Sequence, residues 1–310
     1  MPEILSSLQP GNSEHELAAI VAILSGDAVS AGRLVALLDH FGSAIELLRY
    51  ARTGVAELTL AAISETEIDR AMRVTERWHS EGLGVFHMLE DRYPANLRSV
   101  YNRPPFLFID GVWSDARFGS SVSVVGTRTA TEDGLKRAFR LAKALAEAGI
   151  TVVSGMAKGI DTAAHQGALR AGGRTVAVMG TGIRERYPKQ NAKLADQILG
   201  AGGALLSQFF PEQGPRPWTF PARNVTMSGL SLATVVVEAG PTSGAKQQAE
   251  AALVHGRSVF LPASLVEAHA WARKLVDTGF RGTRAIQVRS ADEVVSMLAL
   301  DPPDMPMLTA

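Results

Sequence analysis

Between Ser121 and Val237 the chain uses one chemical device four times, a short Gly- and Ser-rich turn between an apolar run and a helix-type segment. The turns are S-V-V-G-T-R, with Gly126, Thr127 and Arg128; S-G-M-A-K-G-I-D, with Ser154, Gly155, Lys158 and Gly159; V-M-G-T-G, with Gly180 and Gly182; and F-P-A-R-N-V-T-M-S-G-L-S, with Phe220, Arg223 and Asn224. A further turn after the run ending at Glu238 carries Ser243 and Gly244. Backbone N–H groups at helix starts lack internal partners and point outward with the positive end of the helix dipole, so such turns hold anions of phosphate size. Glycine lets a ligand approach the backbone and permits positive φ angles. Arg128 and Arg223 add planar forks that donate paired hydrogen bonds to phosphate, and Lys158 adds a point charge. Asn224 can hydrogen-bond a base or backbone. Phe220 is either a ring that stacks on an unpaired base beside those cations or a core plug under its loop.

Catalytic signatures mostly fail, and no catalytic residue, metal or cofactor is expected. G-T-G-I-R-E has Gly180 and Gly182 without a third glycine, so it is not a dinucleotide fingerprint, and there is no G-K-[ST] phosphate loop. Ser243 and Lys246 have the S-x-x-K spacing of an acyl-transfer pair but lack its companion motifs, leaving the turn as another anion site. Asp161 and His165, four apart on one helix face, suit a helix-capping carboxylate and a packed imidazole better than an acid/base pair.

The elements that must position these turns alternate. Strands are expected near 122–125, 150–154, 175–179, 204–208, 233–238, 258–261 and 285–288. Helices are expected at 132–148, 161–171, near 191–199, at 245–255, around 266–278 and from 291 onward. Strands alternating with helices of this length imply a parallel sheet covered on both faces, with right-handed crossovers, in which all the turns fall on the carboxyl edge. Residues 209–220, dense in proline, are expected to be irregular.

Ahead of this lies a helical pattern from Glu14 to about Glu81, with apolar residues at three- and four-residue spacing, punctuated by Gly26, Gly42 and Gly54. The stretch S-G-D-A-V-S-A-G lacks the Gly-hydrophobic-Gly hairpin of a DNA-contacting helix pair, which favours packing or partner binding. The fold class is therefore α/β, an extended Rossmann-like parallel sheet covered by helices on both faces and preceded by a small all-helical domain. The expected domains are 1–85 (helical, of the SAM or helix-hairpin-helix kind), 86–300 (extended Rossmann-like, DNA-binding) and a disordered tail at 301–310.

Composition narrows the function classes. The 310 residues contain no cysteine, which excludes disulfides and thiolate metal sites, and 31 basic residues balance 31 acidic ones, so any positive surface is local. There is no basic leader and no apolar run of about 18 residues, so a soluble cytoplasmic protein without a membrane segment is expected.

Taken together, Y-P-A-N-L-R, P-P-F-L-F-I-D-G, V-V-G-T-R, V-V-S-G-M-A-K-G-I-D-T-A-A-H-Q-G-A-L, T-V-A-V-M-G-T-G, Y-P-K-Q-N, F-P-A-R-N-V-T-M-S-G-L-S and V-V-V-E-A resemble the DNA-processing protein A (DprA/Smf) family over roughly residues 93–260. The resemblance implies a non-catalytic binder that protects incoming single-stranded DNA and helps load recombinase in natural transformation and recombination. It also implies a homodimer through the Rossmann-like domain and a RecA-type recombinase as partner. By motif, Arg128, Lys158, Arg223 and Asn224 would contact the DNA backbone and Phe220 would lie near a base. The chain departs from the pattern where the family continues S-G-S-L-x-T-A, having S-G-A-K-Q-Q-A-E, and it lacks the winged helix that many members append. The competing expectation is a nucleotide sensor or phosphoribohydrolase-like enzyme using the same cleft. That class would show P-G-G-x-G-T-x-x-E, where this chain has E-A-G-P-T-S-G-A-K-Q-Q.

Overall fold

A computed structural model of the chain describes residues 4–26, 29–53, 59–111, 113–114 and 118–300. The expected tail at 301–310 and Gly54 lie outside the described residues. The chain forms two compact units, Met1–Tyr93 with Arg98–Ile109, and Pro94–Leu97 with Asp110–Ala310.

In the first unit the apolar spacing becomes helices α1 (Ser13–Ser25), α2 (Ala31–Phe41), α3 (Ala44–Arg52) and α4 (Glu65–Ser80). Each begins on a side chain that accepts from its first free N–H groups: Asn12, Ser30, Ser43 and Ser64. Glu16, buried in α1, takes the Ser43 hydroxyl and the Ala44 N–H (2.7 Å), so one helix caps another. An antiparallel pair completes the unit, β1 (Gly84–His87) against β2 (Phe106–Gly111), in register from Gly84 opposite Ile109 to His87 opposite Phe106.

The second unit follows the expected alternation. Its strands are β3 (Ser121–Gly126), β4 (Thr151–Ser154), β5 (Thr175–Val178), β6 (Ala204–Ser207), β7 (Ala233–Glu238), β8 (Ser258–Pro262) and β9 (Ile286–Val288). They lie in the order β6-β5-β4-β3-β7-β8-β9 with every neighbouring pair parallel. The helices are α5 (Glu132–Glu147), α6 (Ile160–Arg170), α7 (Ala192–Gly200), α8 (Thr219–Leu230), α9 (Gly244–Val254), α10 (Ala263–Ala268), α11 (Ala270–Asp277) and α12 (Ala291–Leu300).

Strand β3 shows how both faces come to be covered, because successive side chains point to opposite sides of a sheet. Val122 and Val124 join the apolar core with Leu141 and Leu145 of α5 and Ile160 and Ala164 of α6. Ser121 and Ser123 face the other way and donate to the Leu230 and Met227 carbonyls of α8, each at 3.2 Å. Burying a Leu or Val side chain contributes about 1.5–3 kcal/mol, so this core carries much of the unit's stability. Helices α5 and α6 approach closely at Gly167, where a Cβ would lie 2.3 Å from the Phe139 carbonyl oxygen.

Two local expectations are corrected. The segment beginning at Phe220 is helix α8 rather than a Gly/Ser-rich turn. Pro221 falls in its first turn, where a missing N–H costs nothing, and the hydroxyls that weaken an isolated helix are buried and bonded, Thr219 to the Arg216 carbonyl, Thr226 to Gln208 and Ser228 to the Val225 carbonyl. The single helix expected around 266–278 is two, broken at His269, whose backbone is extended (φ −131°, ψ 123°).

Candidate functional site

The strand order reverses direction between β3 and β7: the chain steps from β3 outward to β6, then returns to the other side of β3. In open α/β sheets the loops part at such a switch point and leave a crevice at the carboxyl ends of the strands. Here it is a cavity of about 340 Å³.

Its rim is the turn after β3. Thr127 N–H donates to the Glu238 carbonyl at the end of β7 (2.7 Å), and the Glu238 carboxylate accepts from the N–H (3.0 Å) and hydroxyl (2.7 Å) of Thr131. Thr131 in turn caps α5 by accepting the Gly134 N–H at 3.0 Å. Gly134 leaves room for this carboxylate, since a Cβ there would meet it at 2.0 Å. The loop is therefore pinned at both ends, and Arg128 projects from its exposed middle with its guanidinium 5.0 Å from the centroid of the Phe220 ring. Phe220 is half-buried, packed edge-on to Gly180 and 5.9 Å from the Tyr187 ring.

The second turn passes beneath the first. Gly159 has φ +76°, and a Cβ there would stand 2.5 Å from the Thr127 carbonyl oxygen, so glycine is required on both counts. Asn191, from the Y-P-K-Q-N motif, fastens this turn by donating to the Met156 carbonyl (2.8 Å) and the Thr162 hydroxyl (2.9 Å).

Arg223 and Asn224 wire the remaining turns together. The Arg223 Nη1 donates to the carbonyls of Gly155 and Val178 (2.8 Å to the latter), and its Nε donates to Asn224 Oδ1 at 3.0 Å. Asn224 Nδ2 then reaches the Gly244 carbonyl at the start of α9, 3.1 Å away. Arg223 is only 5% exposed, so it enters the site as a wall and a buried positive charge rather than as a reaching clamp. Burial lowers its pKa, and the nearby carboxylate of Asp161 opposes that.

Eight of the residues singled out in the sequence therefore line one cavity: Gly126, Thr127, Arg128, Phe220, Arg223, Asn224, Ser243 and Gly244. Gly159 lines a neighbouring groove of about 610 Å³ between α5 and α6, which shares Arg128 and also carries Leu135, Lys136, Phe139 and Arg140. The others stand outside the cavity. Ser154 is buried with its hydroxyl on the Val124 carbonyl (2.7 Å), Gly155 lies under Arg223, and Lys158 is exposed on its turn. Gly180 seats Phe220, and Gly182 packs against the 210–213 loop, where its N–H meets the Gln213 carbonyl at 2.7 Å. Glu238, Asn191 and Gln248 were not singled out by sequence. Of these, Glu238 had a signal, a carboxylate ending the strand beside a capping threonine.

Asp161 lines the cavity but does not cap its own helix as expected. Its carboxylate accepts the Ala157 N–H (3.2 Å) from the preceding loop, and burial raises its pKa while the Arg223 charge works against the rise. His165 is fully buried with Nδ1 2.7 Å from the Thr175 hydroxyl. That hydroxyl donates to the Val152 carbonyl (2.7 Å), so Nδ1 carries the proton and Nε2 does not. Burial pushes the His165 pKa down to about 3, which leaves a neutral structural imidazole. A depressed folded pKa gives stability that is full above the ordinary value of 6.5 and lost as pH falls towards 3. His165→Leu is thus expected to lose less stability than the wild type between pH 7 and pH 5 in urea unfolding; equal losses would contradict this assignment.

Ser243 caps α9 by accepting the Ala245 N–H (3.2 Å), while Lys246 Nζ lies 3.8 Å from the Glu250 carboxylate. Among the described residues no group of three or more His, Asp or Glu could hold a metal ion. No helix among them is long and apolar enough to cross a membrane.

Comparison with known proteins agrees with this fold. The family model of DNA recombination-mediator protein A matches residues 84–298. The DNA processing protein DprA of Streptococcus pneumoniae is 41% identical over 183 residues, which are 59% of this chain and 64% of that protein's length. The X-ray structure of DNA processing protein A from Streptococcus pneumoniae superposes with a TM-score of 0.68 at 29% identity, covering 92% of this chain and 97% of the other. DNA processing protein A from Helicobacter pylori, solved to describe its single-stranded DNA binding mode, shares the fold with a TM-score of 0.61 at 23% identity, over 71% of this chain and 96% of that one.

Proposed function

Since the chain belongs to the DNA recombination-mediator protein A family, we propose that it binds single-stranded DNA at the switch-point cavity without transforming it. In this reading it shields the strand and passes it to a RecA-type recombinase, acting in the cytoplasm as a homodimer through its Rossmann-like unit. Recombinase, dimer and location rest on the family relationship, and DNA binding rests on the geometry as well.

The observation that carries the reading is the exposed Arg128 guanidinium held over the Phe220 ring at the mouth of a cavity that also meets the start of α9. A cation fixed beside an aromatic face, with helix-start amides within the same crevice, suits a strand whose phosphates and bases are both available. The groove between α5 and α6 extends this surface from Arg128 with the further cations Lys136 and Arg140. Lys158, exposed on the adjoining turn, is assigned to the DNA backbone with Arg128, while Arg223 and Asn224 supply walls and charge from beneath.

A duplex cannot use such a cavity without extruding a base, which costs a few kcal/mol. Competition of unlabelled duplex against a labelled single strand is therefore expected to need roughly a hundredfold excess. Equal competition by duplex, or displacement of the strand by a nucleoside monophosphate with release of free base, would replace this reading with the nucleotide-handling one.

A further inference from the structure

Gln248 lies one turn into α9 and borders the cavity with Val125, Met227 and Ala245. It is 1% exposed, and its side-chain Nε2 has no hydrogen-bond partner. The polar side chains around it are engaged: Asn224 with Arg223 and the Gly244 carbonyl, Ser243 with the Ala245 N–H, Asp161 with the Ala157 N–H. A buried amide without a partner is a standing cost to the free fold, and a ligand group that pairs with it removes that cost.

The surroundings define the group. The exposed cation, Arg128, is at the mouth, the buried Arg223 is spent on Asn224 and the Gly155 and Val178 carbonyls, and the start of α9 lies about 5.4 Å from Gln248, one helical turn away. A phosphate would find its hydrogen-bond donors at those upper positions. The cavity that Gln248 borders has apolar wall from Val125, Met227 and Ala245 alongside polar wall from Asp161, Arg223 and Asn224, and the apolar part suits an uncharged ring with hydrogen-bonding atoms on its edge. A glutamine amide is the side chain that meets such an edge with a donor and an acceptor in one plane.

We propose that Gln248 pairs with the edge of a nucleobase inserted into the cavity, making the site selective for base as well as for phosphate. The inference rests on the single-stranded DNA reading. One base of the strand leaves its neighbours and descends past Phe220, while its phosphates stay with Arg128 and the α9 start.

The test is Gln248→Met, similar in volume and apolar, measured by anisotropy on homopolymeric single strands and on an abasic deoxyribose-phosphate oligomer, with thermal unfolding in parallel. On at least one homopolymer the variant is expected to bind about tenfold more weakly, equivalent to 1.4 kcal/mol. On the abasic oligomer the two proteins should bind alike. The variant should also unfold about 2–4 °C higher, because it no longer buries an unpaired amide. A lower unfolding temperature with unchanged binding would assign Gln248 to the fold and overturn the proposal. So would an equal loss on the abasic oligomer, which would assign it to the phosphate chain. Wild-type protein that binds none of these strands would instead remove the single-stranded DNA reading itself.

Discussion

Replacing Arg223 with methionine is expected to lower the unfolding temperature of the Rossmann-like unit by roughly 10 °C, from a loss of about 3–5 kcal/mol. The change strips hydrogen bonds from the Gly155 and Val178 carbonyls and from Asn224, all in one buried place. It also leaves the Asp161 carboxylate buried without the positive charge that opposes its raised pKa. The pH dependence follows. A carboxyl whose folded pKa stands above its ordinary value of 3.8 is taken up as a neutral group in acid, and stability is lost as pH rises through the folded pKa. Without Arg223 that pKa rises further, so the defect should be smallest in acid and grow as pH rises. Thermal unfolding of both proteins across that range checks this; a defect independent of pH would show that Asp161 and Arg223 do not share their charge.

Arg128→Ala should have the complementary phenotype, with binding lost and stability kept. The guanidinium is exposed, rests on the Phe220 ring and reaches the buried Asp161 and Arg223 only as the smallest of the charges acting on them, so the fold depends on it little. A charge-assisted contact to phosphate is worth about 1.5–3 kcal/mol, which predicts a ten- to hundredfold weaker complex with single-stranded DNA. Arg128→Lys should recover only part of this, since an ammonium neither stacks flat on the ring nor donates in a paired fork. An unchanged unfolding temperature would confirm that the loss arises at the site. Unimpaired binding by Arg128→Ala would move the DNA away from this rim.

The sequence shows most of the second unit because each apolar run there is a buried parallel strand, with glycines and caps marking the ends. Val122, Val152, Val176 and Val235 declare their strands without needing a partner to explain them. Helix α8 was hidden because Thr219–Leu230 is rich in residues that weaken an isolated helix and is stabilised by packing on β3. Strand β1 was hidden for a related reason: G-V-F-H is four residues long and becomes a strand through pairing with β2.

The site divides in the same way. Residues whose backbone does the work, such as Gly126 and Gly159, are visible as motif glycines. Arg223 was visible as a cation, but not the carbonyls that claim it, Gly155 just after β4 and Val178 at the end of β5, which lie 68 and 45 residues away in the chain. Gln248 gave no signal in A-K-Q-Q-A-E, where it reads as one of several polar helix residues, and only the fold turns it into the cavity.

The most direct test of DNA binding at this cavity is the affinity of the wild-type protein for a labelled single-stranded oligonucleotide across a salt series. Each phosphate neutralised releases counterions, so log affinity should fall linearly with log salt at about −0.7 per contact for a single strand, and Arg128→Ala should make the slope shallower by about one contact. Affinity that stays flat with salt, or no binding at low salt, would contradict the account and turn the same cavity over to a small nucleotide.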